Sequence, residues 1–192
     1  MEFLDLAAQL VTHSQKLGEG EFEGLASVFG SPVQSYVPTV IESGSFAKTL
    51  RENANRVKIL LQHRVETPIG RPLKLEETPE GLYVRGKISD TKDGRDALVL
   101  MRDGVLDAMS IGFDPIRWEM RRHEDDGQDW RHLSEIKLWE ISVVTFPADP
   151  RAVITNVHSV QPRTYVESRH ESPRPRYVPE CSEVYGEGFR CR

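Results

Sequence analysis

The passage GVLDAMSIGFDPIRWEMRRHEDDGQDWRHLSEIKLWEISVVTFPADP (residues 104–150) reads as two long strands joined by an acidic turn, and it sets the fold class. Val105, Leu106, Ala108 and Met109 lead into Ser110, and Ile111 and Phe113 follow it. The breaker-rich Glu124-Asp125-Asp126-Gly127 reads as the tip of a hairpin. The returning strand carries Ile136, Leu138, Trp139, Ile141, Val143, Val144 and Phe146, and Pro147-Ala148-Asp149-Pro150 ends it. Two residues stand out from this apolar text. Ser110 is a hydroxyl that is either bonded to a backbone carbonyl in the core or aimed at a reactant. Glu140 is a carboxylate in the middle of a strand, where its charge is costly unless paired; an arginine or an imidazole would serve. Gly112 removes a side chain that would crowd a ligand approaching the serine.

Upstream, the same strand-rich character continues. Phe22, Leu25, Ala26, Val28 and Phe29 predict a strand closed by Gly30-Ser31-Pro32, and Tyr36 to Ile41 predicts a second extended run. Ser43 or Ser45 is placed to cap a helix through Phe46, Leu50 and Asn53. In VKILLQHRVETPIG (residues 57–70), Val57, Ile59, Leu60 and Leu61 form a short apolar strand of the kind buried on both faces. His63 lies at its mouth. Residues 69–76 and 81–89 predict two strands joined by Glu77-Thr78-Pro79-Glu80-Gly81. Residues 90–103 predict a helix capped by Thr91 or Asp93, with Ala97, Leu98, Leu100 and Met101 as its apolar face and Gly104 as its stop. The expected class is therefore mainly β with flanking helices.

Composition narrows the function classes. Across 192 residues the apolar content is 38%, and mean hydropathy is −0.47, low for a chain packed throughout. Residues 1–19 read as a helical extension with Phe3, Leu4, Leu6, Ala7, Leu10 and Val11 on one face, residues 20–157 as the domain, and residues 158–192 as a flexible Pro/Arg-rich tail. A net charge of −5 without a basic stripe argues against nucleic acid as a partner. No apolar run reaches the ~20 residues that span a bilayer, and no signal peptide opens the chain, so no membrane partner is expected. The two cysteines, Cys181 and Cys191, lie in the tail and exclude a disulfide framework for the core; an intracellular, reducing setting fits. His123, Asp125, Asp126 and His132 follow no recognised metal-ligand spacing and read as a solvated loop; no metal or other cofactor is expected.

His63, Ser110 and Glu140 are the residue types that acyl transfer by serine requires. A hydroxyl attacks, an imidazole takes its proton, and a carboxylate orients that imidazole and stabilises the imidazolium. Spacing alone does not assemble them, and the absence of a GxSxG elbow argues against an α/β-hydrolase.

Several segments, in this order and spacing, resemble the prohead (capsid maturation) serine protease family of tailed phages, which is related in fold to the herpesvirus assemblins. They are GLASVFG, SGSFAKTL, ILLQH with PIG, GLYVRGKI, GVLDAMSIGF and LWEISVVTFPADPRA, between Glu21 and Asn156. The resemblance implies a small, mostly antiparallel β-barrel with flanking helices. It implies His63 as general base and Ser110 as nucleophile. For the third member it implies an acidic residue, here Glu140, with Glu135 and His132 as weaker options. Arg64 stands where relatives often carry an acidic residue. The implied activity is endopeptidase cleavage of the scaffold region of the major capsid protein, and of the enzyme itself in its tail, inside the prohead assembling in the host cytoplasm. Self-association is left open. Backbone N–H groups around Ser110, Ile111 and Gly112 are the oxyanion candidates. Two other readings compete: a non-catalytic capsid-assembly module on the same fold, and a metallohydrolase built on the His123 to His132 region.

Overall fold

The computed structural model describes residues 16–30, 32–33, 37–123 and 127–158. The expected helical extension over residues 1–19 and tail over 158–192, with Cys181 and Cys191, fall outside these except for residues 16–19, which are not helical, and His158.

Nine strands form one sheet among the described residues: β1 Glu21–Val28, β2 Pro32–Val33, β3 Thr39–Ile41, β4 Lys58–Leu61, β5 Arg64–Glu77, β6 Gly81–Ile88, β7 Ala108–Arg122, β8 Asp129–Val144 and β9 Ile154–Val157. Helix α1 (Ala47–Glu52) packs on β8, and helix α2 (Lys92–Arg102) joins β6 to β7. The path runs β2-β3-β8-β4-β5-β6-β1-β9, with β7 on the other side of β8. The chain just before β9 then curls the sheet back on itself. Leu25 N–H donates to Val153 O (3.0 Å), Met109 N–H to Ala152 O (2.8 Å) and Ile154 N–H to Asp107 O (2.8 Å), and a bridge pairs Ala108 with Val153. One short segment thus touches both β1 and β7. Gly24 permits this approach: a Cβ there would lie 2.2 Å from Val153 O.

The barrel is mainly antiparallel, with one qualification to the expectation. Strands β3 and β4 both run parallel to β8 along the same edge, β3 at Arg131–Leu133 and β4 at Glu140–Val143. The interior is filled by fully buried Phe22, Phe46, Ile59, Ile69, Leu82, Met109, Leu133 and Ile141. Each such side chain contributes about 1.5–3 kcal/mol of transfer free energy.

Two local expectations need correction. Neither Ser43 nor Ser45 caps α1. Phe46 holds the N-cap position without a side-chain cap bond, and Ser45 Oγ instead donates to Leu133 O at 2.7 Å, tying the loop to β8. The strand predicted from residue 69 begins at Arg64, because β4 turns into it with only two residues between. In α2 the cap is Thr91, accepting from Gly94 N–H at 3.1 Å. Ala97 and Met101 are buried as expected, but Leu100 is 38% exposed.

Candidate active site

The site is built on the middle of the β7–β8 hairpin, where a single extra residue decides which way Glu140 points. Ser110 pairs with Ser142, Ile111 with Ile141 and Gly112 with Glu140, but the next pair is Phe113 with Leu138. Trp139 has no opposite number and forms a β-bulge. Simple alternation would put Leu138, Glu140 and Ser142 on one face. The bulge shifts the phase, so Leu138, Ile141, Val143 and Met109 lie in the core. Glu140 and Ser142 then share the other face with their cross-strand partners Gly112 and Ser110.

Glu140 lies over the Gly112 backbone. A Cβ on Gly112 would sit 2.3 Å from Glu140 Oε1 and 3.0 Å from its Cγ. The space expected there for a ligand is the seat of the carboxylate. Gly112→Ala should therefore push Oε1 off its partner and cut activity by at least about tenfold, as loss of a supporting contact does at other sites. Kinetics beside a denaturation curve check this, and a fully active Gly112→Ala protein would contradict it.

His63 arrives from the opposite edge of β8. Strand β4 pairs with β8 through Leu60 and Ser142. Gln62 and His63 then turn the chain, both in the left-handed region at φ 55° and 56°, so that Leu61 pairs with Arg64. A two-residue turn with both φ values positive is the type that favours Asn-Gly. For Gln and His the conformation costs roughly 1–2 kcal/mol per residue. Local bonds offset this. Gln62 N–H donates to Val143 O at 3.0 Å. Gln62 Nε2 donates to Thr145 Oγ1 at 2.7 Å, and Thr145 N–H returns a 3.3 Å bond to Gln62 Oε1. His63 N–H donates to Ser142 Oγ at 3.0 Å.

The turn delivers the imidazole to the carboxylate. His63 Nδ1 lies 2.7 Å from Glu140 Oε1, and Ser142 Oγ donates to Glu140 Oε2 at 2.8 Å. The Glu140 side chain is 12% exposed and that of His63 45%. The Glu140 hydrogen bond lifts the His63 pKa above its ordinary 6.5; partial burial opposes this, and the carboxylate charge adds a smaller lift. With Nδ1 facing a carboxylate, that nitrogen carries the proton and Nε2 is left as the basic one.

Ser110 is 9% exposed. Among the described residues its hydroxyl makes no hydrogen bond, so it is not a core serine tied to a carbonyl. It stands directly across from Ser142, the residue that touches both His63 and Glu140. It also lines a largely apolar cavity of about 190 Å³ with Ile41, Met109, Ile111, Phe113 and Ala152. The structure therefore joins His63 to Glu140 and places Ser110 one cross-strand pair away on the same face.

The weaker options for the third member are engaged elsewhere. Glu135 faces Lys48 at 3.1 Å and Arg117 at 3.6 Å. His132 Nδ1 lies 3.2 Å from Glu42 Oε1. His123 stacks on Trp130 with ring centroids 3.7 Å apart, and Asp125 and Asp126 lie outside the described residues. Reading residue types missed Ser142 and Gln62. The signal for Ser142 was its spacing from Glu140, two positions along one strand, but a serine among Ile141, Val143 and Val144 reads as filler until its register is known.

The model of the caudovirus prohead serine protease family matches residues 8–165. The chain belongs to this family. Over 150 residues it is 32% identical to the prohead protease of Enterobacteria phage HK97, covering 74% of this chain and 62% of that protein. Over 169 residues it is 27% identical to the prohead protease of Escherichia phage T5, covering 86% of this chain and 76% of that one. This family member thus spans less than two thirds of its HK97 relative. Among solved structures it is similar to the capsid assembly protease of bacteriophage T4, with a TM-score of 0.49, 11% identity, and coverage of 65% of this chain and 80% of that one. It is also similar to the KSHV protease solved with a hexapeptide phosphonate inhibitor, with a TM-score of 0.46, 14% identity, and coverage of 70% and 63%.

Proposed function

We propose that this family member is a serine endopeptidase that cleaves the scaffold region of the major capsid protein, and its own tail, inside the prohead assembling in the host cytoplasm. The 2.7 Å contact between His63 Nδ1 and Glu140 Oε1, on the face that carries Ser110, is the observation that carries this reading. The names of the HK97 and T5 relatives support the setting.

The chemistry follows from the roles of the three groups. Ser110 Oγ attacks the scissile carbonyl while its proton passes to His63 Nε2. Glu140 holds the Nδ1–H and stabilises the imidazolium that forms. The tetrahedral intermediate collapses, the leaving amine takes the proton from His63, and an acyl ester remains on Ser110. Water, deprotonated by the same imidazole, hydrolyses that ester. Contacts between a nucleophile and its base commonly tighten only when substrate is bound. The cavity beside Ser110 offers an apolar seat for a substrate side chain next to the scissile bond.

A fluorophosphonate tests the nucleophile without a known substrate. Ser110 Oγ forms a bond to phosphorus, the P–F bond breaks, fluoride leaves, and the hydroxyl proton passes to His63. One adduct per chain, mapped by mass spectrometry to the peptide containing Ser110, is the expected result. No adduct, or an adduct on another serine, would remove the assignment.

A further inference from the structure

We infer that Ser142 is a positioning residue of this site, and that its hydroxyl locks the base and its orienting carboxylate into one closed ring. The inference rests on the roles proposed above for Ser110, His63 and Glu140. Ser142 is fully buried, and its Oγ has two partners in the site. It accepts from the His63 backbone N–H at 3.0 Å and donates to Glu140 Oε2 at 2.8 Å. Glu140 Oε1 then meets His63 Nδ1 at 2.7 Å. The loop of contacts starts and ends on His63, once through its backbone and once through its ring.

Each contact answers a specific need. His63 sits at φ 56°, a conformation an L-residue leaves readily unless its backbone is held. The bond to Ser142 Oγ is a hold on that backbone from outside the turn. Glu140 follows a bulge and projects from a strand, so its carboxylate is free to rotate about its terminal torsion. The Ser142 donor fixes one oxygen and thereby aims the other at Nδ1. Ser142 lies in mid-sheet, beside Leu60 on one strand and Ser110 on the other. Alanine in its place would leave the backbone intact but free both His63 N–H and Glu140 Oε2.

The test is the rate of fluorophosphonate labelling at Ser110 across pH, together with titration of the His63 ring followed by NMR. In Ser142→Ala the labelling rate should fall by about 10- to 100-fold, the range seen when supporting hydrogen bonds are removed from other sites. The His63 titration should move down toward 6.5, because the carboxylate no longer holds its bond to Nδ1. Ser142→Thr, which restores the hydroxyl, should recover both. A role in packing alone would leave the titration where it is. An unchanged labelling rate, or a His63 titration that stays put or rises, would overturn the inference. If Ser142→Ala does not fold, Ser142→Cys carries the test: its thiol fills the space but is a weak donor and acceptor, so the same two losses are expected. Failure of the underlying reading looks different, since wild-type protein would then take no label at Ser110.

Discussion

Ser110→Ala should abolish cleavage while leaving the fold almost untouched. In a serine hydrolase, loss of the nucleophile alone removes about 10⁶ in turnover, because the remaining groups have nothing to activate. The stability side of the expectation comes from this structure. A buried hydroxyl normally has a partner, and deleting it leaves that partner unpaired at a cost of about 1–3 kcal/mol. Ser110 has no such partner among the described residues, and only a cross-strand neighbour, Ser142, whose own bonds go to His63 and Glu140. Its unfolding free energy should therefore stay within about 0.5 kcal/mol of wild type. Mass spectrometry of the protein co-expressed with its shell protein, wild type beside Ser110→Ala, reads the activity. Processing that continues in the variant would place the nucleophile elsewhere. A large loss of stability would make Ser110 a packing residue after all.

The contrast between Ser110 and Ser142 shows how far the sequence could be read. Both are serines in apolar strands, and both face the same side of the hairpin. Ser110 stands out in the sequence because a glycine, Gly112, lies two residues on and because it belongs to a segment with a family likeness. Ser142 does not, because its meaning depends on a register that no periodicity encodes. The hairpin itself, the β1, β4 and β6 strands and a cap at Thr91 or Asp93 were all readable, since each rests on local preference or alternation. What escaped was long-range. The parallel docking of β3 and β4 on β8 sets residues far apart in the chain side by side. The Trp139 bulge turned Glu140 out of the core, where simple alternation would have sent it with Leu138. The Gln62-His63 turn carries none of the usual Asn or Gly signal, because bonds to Val143, Thr145 and Ser142 hold it from outside.

Glu140→Gln should cost about 10⁴ in turnover, the size of effect seen when the carboxylate of such a triad is replaced by its amide. Glutamine fills the same space over Gly112, so the loss would be chemical. It removes the charge that stabilises the imidazolium, and an amide NH₂ turned toward Nδ1 would favour the wrong tautomer. The pH dependence separates this from simple misfolding. In the wild type the Glu140 hydrogen bond holds the His63 pKa above 6.5, so the base is protonated and idle on the acid side, and activity rises as pH climbs through that raised value. The pair's contribution to stability has the opposite course: it is complete below 6.5 and is lost as pH rises through the folded-state pKa. With the carboxylate gone, partial burial is the influence that remains, and it acts downward. The residual activity of Glu140→Gln should therefore begin at lower pH than that of the wild type, even though its plateau is far lower. A variant with wild-type turnover, or with an acid limb that does not move, would show that Glu140 is not what orients His63.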